Sequence, residues 1–291
     1  MTENKLNFPP VTLVLTAVFL WSTGGLFIKL TTLDAYQVTF FRSLFAALTV
    51  LLLTRKDGLK IDLFGIFTSI IYALLLFLFV WATKKTTAAN AIFLQYTAPI
   101  YILILAPFVI GEKFHLRDLV TVVIVLAGMS LFFVGQLRLE DYEGNIAALF
   151  SGIFLGLYIM LLRHPKADGF NPAIAVIYGN FLLALVNLPT GITAIPSMTA
   201  MDWFAVTFLG VVQIGISYIL FIKGVRGGTR PLDASLIGFI EPLLNPVWVF
   251  VFVGERPSRW ALIGGTVIIS AIAAHTVRQY RGHRRARAII G

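Results

Sequence analysis

The sequence predicts an all-α integral membrane protein with ten transmembrane helices, arranged as two inverted five-helix repeats. Three observations lead there: a composition too apolar for a soluble fold, ten apolar runs of spanning length, and a block of residues that returns after half the chain. Of 291 residues, 58% are hydrophobic and 13% charged, where soluble domains carry about 25% charge. A soluble chain of this size cannot bury so much apolar surface, whereas lipid accepts it directly.

A span needs about 20 mostly apolar residues. The first run, 10–30, is too long for a signal-peptide core and reads as the first span. The second is 34–54; the turn Lys56-Asp57-Gly58 separates it from the third, 62–83. The fourth, 86–110, carries Pro99 and closes on Gly111-Glu112 before the fifth, 116–136. The sixth, 145–162, is the shortest. Asn171-Pro172 opens the seventh, 172–194, and the eighth follows at 203–222. The ninth, 231–253, carries Pro242 and Pro246, and Gly254-Glu255-Arg256-Pro257 leads into the tenth, 258–278. Connections of a few residues make neighbouring helices antiparallel. Gly152 and Gly156, Gly24-Gly25 and Gly264-Gly265 are notches for close helix contact. Trp81, Trp203 and Trp260, near span ends, read as interface anchors.

Lys and Arg set the orientation. Sixteen lie on the side of the N terminus, counting Arg278, Arg281, Arg284, Arg285 and Arg287 of the tail, against six on the other side, with Arg42 inside a span. Both termini are expected in the cytoplasm of a cell whose inner (plasma) membrane holds the chain. The net charge of +9 therefore reflects loop placement, not a nucleic-acid surface. With no cysteine, disulfides and thiolate metal sites are excluded.

Ala91, Pro99 and Gly111-Glu112 return, 143 residues later, as Ala234, Pro242 and Gly254-Glu255. Five spans per half is an odd number, and the second copy enters from the opposite face. The expected units are 1–136, a connection at 137–144, a second repeat at 145–278 and a basic tail at 279–291. Inverted halves suit alternating access, because exchanging their conformations turns an inward-open carrier outward-open.

Trp21-Ser22-Thr23, the Pro99…Gly111-Glu112 block and Glu241-Pro242…Gly254-Glu255-Arg256 resemble the EamA-type drug/metabolite transporter superfamily, over nearly the whole chain. The resemblance implies a ten-helix, two-repeat carrier of small metabolites, often an exporter of amino acids or related amines. The first half departs in having Ala98 where the second has Glu241.

Proline breaks near the midplane point to the site. Pro99 lies about 13 residues, or roughly 20 Å, into its helix, and Pro242 reaches a similar depth from the other face. The carbonyls they free belong to Gln95 and Gly238. Pro246 adds a second expected break. Glu241, an intramembrane acid, is expected to bind an ammonium group or carry a proton, with Asn245 one turn on. Arg42 is open to three readings: outward snorkelling, a structural partner for Glu241, or a ligand for a substrate carboxylate. Trp21, Tyr72, Tyr96, Tyr101, Tyr158, Tyr178, Gln213 and Tyr218 fall at mid-span depth, where polar-tipped rings suit small zwitterions.

These residues describe a secondary transporter, most readily an exporter, with uptake of another small metabolite as the alternative. His115, His164, His275 and His283 are scattered near span ends, and no HExxH or paired-carboxylate motif appears, which argues against a membrane-embedded enzyme. No nucleotide-binding motif is present either. The expected partners are a small-molecule substrate and the lipid bilayer; no cofactor, metal or nucleic acid is expected, and a monomer suffices.

Overall fold

The computed structural model describes residues 8–86, 88–135, 139–168, 171–253 and 258–290. Among these residues all regular elements are helical. The first half holds α1 (Pro10–Ser22), α2 (Gly24–Leu30), α3 (Ala35–Thr54), α4 (Leu63–Lys85), α5 (Ala88–Gln95), α6 (Ala98–Val109) and α7 (Leu116–Phe132). The second holds α8 (Tyr142–Leu161), α9 (Ile174–Val186), α10 (Leu188–Ala194), α11 (Ala200–Phe208), α12 (Ser217–Arg226), α13 (Pro231–Gly238), α14 (Ile240–Val253) and α15 (Arg259–Ile290). Seven segments are long and apolar enough to cross a membrane, or eight if α9 and α10, bent by 68°, form one span. Two expected spans are shorter: α7 has 17 residues, and the ninth is split into α13 and α14.

Local chemistry sets the helix starts. Asp34 accepts the Gln37 N–H at 2.9 Å while Gln37 accepts the Asp34 N–H at 3.0 Å, a capping box for α3. Thr199 and Asp202 repeat the device at α11. The fourth and ninth spans break at Tyr96-Thr97 and at Phe239, three residues before Pro99 and Pro242. Proline lacks a donor that an initial turn leaves unused anyway, and Pro99 occupies the first turn of α6. The expected second break at Pro246 does not occur, since α14 runs on through it. A membrane helix absorbs the loss of one hydrogen bond. Past residue 278, where the basic tail is expected, α15 continues helical to Ile290. The sixth span, the shortest by sequence, is a full 20-residue helix.

Packing follows the small residues. A Cβ at Gly152 would sit 2.7 Å from the Gln95 carbonyl oxygen, and one at Gly156 3.3 Å from that of Ala98. The GxxxG face of α8 thus seats the break between α5 and α6. Gly264 of α15 lies against Gly128 of α7, where a Cβ would stand 2.4 Å from a carbonyl oxygen. Further pairings join α4 with α8, α1 with α12, α3 with α9, and α1 with α13 and α14. Gly111 takes a left-handed φ of 67°, which lets the Glu112 N–H return to the Ala106 carbonyl at 3.3 Å and turns the chain out of α6.

Candidate functional site

Aromatic and polar side chains from both halves converge inside the bundle. The ring of Tyr218 lies 4.9 Å from Trp21, 5.1 Å from Tyr72 and 6.1 Å from Tyr158, and Tyr72 is 5.1 Å from Tyr158. The cluster therefore draws on α1, α4, α8 and α12. Arg42 of α3 is 6% exposed and within electrostatic reach of Tyr72 and Tyr218. It does not snorkel, because the side chain turns inward. Nor does it pair with Glu241: among the described residues no carboxylate lies within ion-pair distance of its guanidinium. Two of the three sequence readings of Arg42 are thereby corrected.

Polar atoms here are left without partners. Nine buried side-chain nitrogen or oxygen atoms lack a hydrogen-bond partner among the described residues, and six belong to this cluster. They are Trp21 Nε1, Arg42 Nε and Nη2, Tyr158 Oη, Asn180 Oδ1 and Gln213 Oε1. An unmatched buried polar group costs about 1–3 kcal/mol, and most such groups in proteins are paired. Six in one place leave donors and acceptors that a polar guest could match. The mixture is informative: Arg42 and Trp21 offer donors, while Asn180 and Gln213 offer carbonyl oxygens.

Gln213 sits on a π-helical stretch, Leu209–Ile216, between α11 and α12. Such widened turns recur at functional sites. Its amide nitrogen donates to the Trp21 carbonyl at 3.4 Å. Glycines at 210 and 215 bring the stretch against α3, where a Cβ at Gly210 would be 2.8 Å from the Arg42 carbonyl oxygen.

Glu241 stands at the start of α14 and accepts a 2.6 Å hydrogen bond from the Tyr96 hydroxyl. The Tyr96 ring packs 5.1 Å from Phe239, and a Cβ at Gly238 would press on it at 3.1 Å. Tyr96 and Phe239 are 143 residues apart, so the two helix breaks touch through equivalent positions. Glu241 is half-buried and within electrostatic reach of Tyr218, which connects it to the aromatic cluster.

Other expected residues lie elsewhere. Gln95 turns away to donate to Ser151 of α8 at 2.8 Å, and its carbonyl faces Gly152 instead of a cavity. Tyr101 stays beside Thr97 on the α6 side, 3.5 Å away. Tyr178 donates to the Leu59 carbonyl at 3.1 Å near the bundle end, not at mid-depth. Pro99 and Pro242 are buried and shape the breaks. The side chain of Asn245 lies outside the described residues. Asn180 was not among the expected residues, although it is 1% exposed and donates to the Tyr72 hydroxyl at 3.1 Å. An asparagine near the middle of the apolar run 172–194 was the available signal.

Known proteins resemble the chain in sequence and in fold. The description of the EamA-like transporter family matches the chain twice, over residues 9–134 and 143–276. An uncharacterized transporter of Archaeoglobus fulgidus is 24% identical, with 92% of this chain and 96% of that protein aligned. The pseudopaline exporter CntI of Pseudomonas aeruginosa is 23% identical over 91% of this chain and 94% of its own. Human solute carrier family 35 member G1 is 21% identical over 91% and 78%. One solved crystal structure superposes with a TM-score of 0.77 at 20% identity, over 92% of this chain and 97% of the other. A double family match over the bundle that carries the cluster settles the relationship: the chain is a membrane transporter and belongs to the EamA-like transporter family.

Proposed function

We propose that the chain is a secondary transporter that exports small metabolites, foremost amino acids or related amines, by alternating access around the buried cluster between Arg42 and Glu241. The observation that carries this reading is the group of six unpartnered polar atoms near a carboxylate and among four rings in tilted and edge-to-face contact. A substrate carboxylate takes the free donors of Arg42, which offsets the several kcal/mol that an unpaired buried charge costs. The substrate amine lies toward Glu241, Asn180 Oδ1 and Gln213 Oε1, with tyrosine and tryptophan faces around it. Glu241 holds either that amine or a proton.

Alternation is supported by the packing. Exchanging the two halves converts the α4–α8 contact into α12–α1, and the α8–α5/α6 contact into α1–α13/α14, while α3–α9 and α7–α15 map onto themselves. A pseudo-two-fold axis in the membrane plane accounts for this pattern, with α7 and the α13–α14 pair completing ten crossings. The repeats are then residues 1–136 and 145–278, both termini face the cytoplasm, and one chain in the inner membrane builds the whole site. The name of the Pseudomonas relative supports export as the direction. That relatives are named transporters supports a role without catalysis.

The test compares extracellular amino acids and amines from cells with and without the protein, and with Glu241→Gln at equal membrane abundance. Several-fold accumulation of one such compound, lost or shifted in pH dependence in Glu241→Gln, is expected. Unchanged medium on expression, or a variant with the unaltered flux and pH profile, would remove this assignment.

A further inference from the structure

A second polar centre lies away from the aromatic cluster, at the face where α1 begins. There α6, α7, α13 and α15 meet, two helices from each half. Arg230 pairs with Glu112 and donates to Asp118 at 2.8 Å, with Asp233 at 3.9 Å. His275 of α15 completes the group: its Nε2 is 2.7 Å from Asp233, and its Nδ1 is 3.3 Å from the Thr121 hydroxyl and 4.0 Å from Asp118. His115 stands 3.9 Å from Asp118. Lys113 lines the adjoining cleft, and Arg278 follows His275 by one turn.

The charges do not balance. Three carboxylates, of Glu112, Asp118 and Asp233, surround the one guanidinium of Arg230. Burial works against the Arg230 charge, but its bonds to Asp118 and Glu112 and the charge of Asp233 hold it above the ordinary arginine range. Asp118 is 3% exposed and His275 6%. Excess buried negative charge is costly, and a proton on His275 offsets one unit of it. Both ring nitrogens already face oxygen atoms, the arrangement an imidazolium needs to donate twice. Among the described residues no group of three or more such side chains is placed to hold a metal ion.

The repeat makes the centre one-sided. At the equivalent positions, 143 residues away, Asp233 is replaced by Asn90, Asp118 by Ala261 and His275 by Phe132. None of those three side chains titrates.

We propose that His275 is a proton-binding site that fastens the two halves together at this face. The imidazolium, held by Asp233 of its own half, adds an ion pair to Asp118 of the other half alongside the Arg230 bridges. Loss of the proton removes that pair and loosens the joint. Acid on this face therefore locks it, and alkali releases it. The inference rests on the reading of the halves as moving parts, but its readout needs no substrate, so it can fail while the transport assignment stands, and the reverse.

The experiment uses the cysteine-free full chain in lipid vesicles, with nitroxide labels at Phe114→Cys and Lys223→Cys, both exposed near this end. Pulsed electron paramagnetic resonance distances are recorded at about pH 5.5 and about pH 8.5, on either side of the range in which histidine titrates. The expected result is a longer-distance population that grows several-fold at the higher pH, with no pH response in His275→Gln and an unaltered response in His115→Gln. If His275→Gln does not reach the vesicles, Asp118→Asn serves, since it keeps the imidazole and removes the carboxylate across the joint; its response should vanish as well. Identical distributions at both pH values in the otherwise unaltered protein would overturn the proposal. A response that survives in His275→Gln or Asp118→Asn, or is lost in His115→Gln, would also overturn it.

Discussion

Arg42 keeps two donors unmatched in a place where a bare charge is costly, which is a poor arrangement for stability and a good one for binding an anion. Arg42→Met should therefore leave thermal stability in detergent equal or raised by about 1–4 kcal/mol, as replacement of other buried ionic groups has done. The same variant should lose at least about 90% of transport of any carboxylate substrate, more than 1.4 kcal/mol of binding. A stability loss with retained transport would make Arg42 structural. Asn180→Leu removes the donor to Tyr72 and one free carbonyl, and should weaken substrate affinity more than folding, as read by ligand-induced thermal shifts. At this scale the sequence shows depth in the membrane but not direction around the helix. Gln95 and Tyr96 share a depth, yet successive residues differ by about 100° in azimuth, and only Tyr96 turns to Glu241. Tyr101 misses the cluster for the same reason. The Arg230–His275 centre was hidden because its members come from three separate stretches, 112–121, 230–233 and 275, and each alone reads as a loop charge or a helix end.

Spans and breaks were more legible than side-chain directions, because hydropathy and proline act locally. The expected 62–83 is α4, Leu63–Lys85, and 145–162 is α8, Tyr142–Leu161. The π-helical stretch at 209–216 and the 68° bend between α9 and α10 were not foreseen; the first lies where glycines press against α3, while the second falls at Pro189, a local signal left unread. At Gly210, the carbonyl of Arg42 and the side chain of Phe45 occupy the room a Cβ would need. The break at Tyr96-Thr97 depends in the same way on α8, whose Gly152 touches the Gln95 carbonyl. Gly152→Leu should cost about 1–3 kcal/mol through overpacking and lower the thermal unfolding midpoint in detergent. An unshifted midpoint would mean that this contact does not hold the break in place.

For the molecule as a whole, the account requires two halves threaded through the bilayer in opposite senses and a cavity between them that each face reaches in turn. Reporter fusions at the two ends should therefore both read as cytoplasmic; opposite readings would break the inverted arrangement. The count of five spans per half and the 143-residue spacing are what point to this layout in the sequence, while the identity of the substrate depends on side-chain geometry that periodicity does not encode. The central claim is best tested by single cysteines at Gln213 and Tyr158, introduced into a chain that has none of its own. A membrane-impermeant thiol reagent is applied to right-side-out and to inverted vesicles. The account predicts labelling of both positions from either side, and protection from either side by a transported substrate. Reaction from one side alone, or from neither, would contradict it.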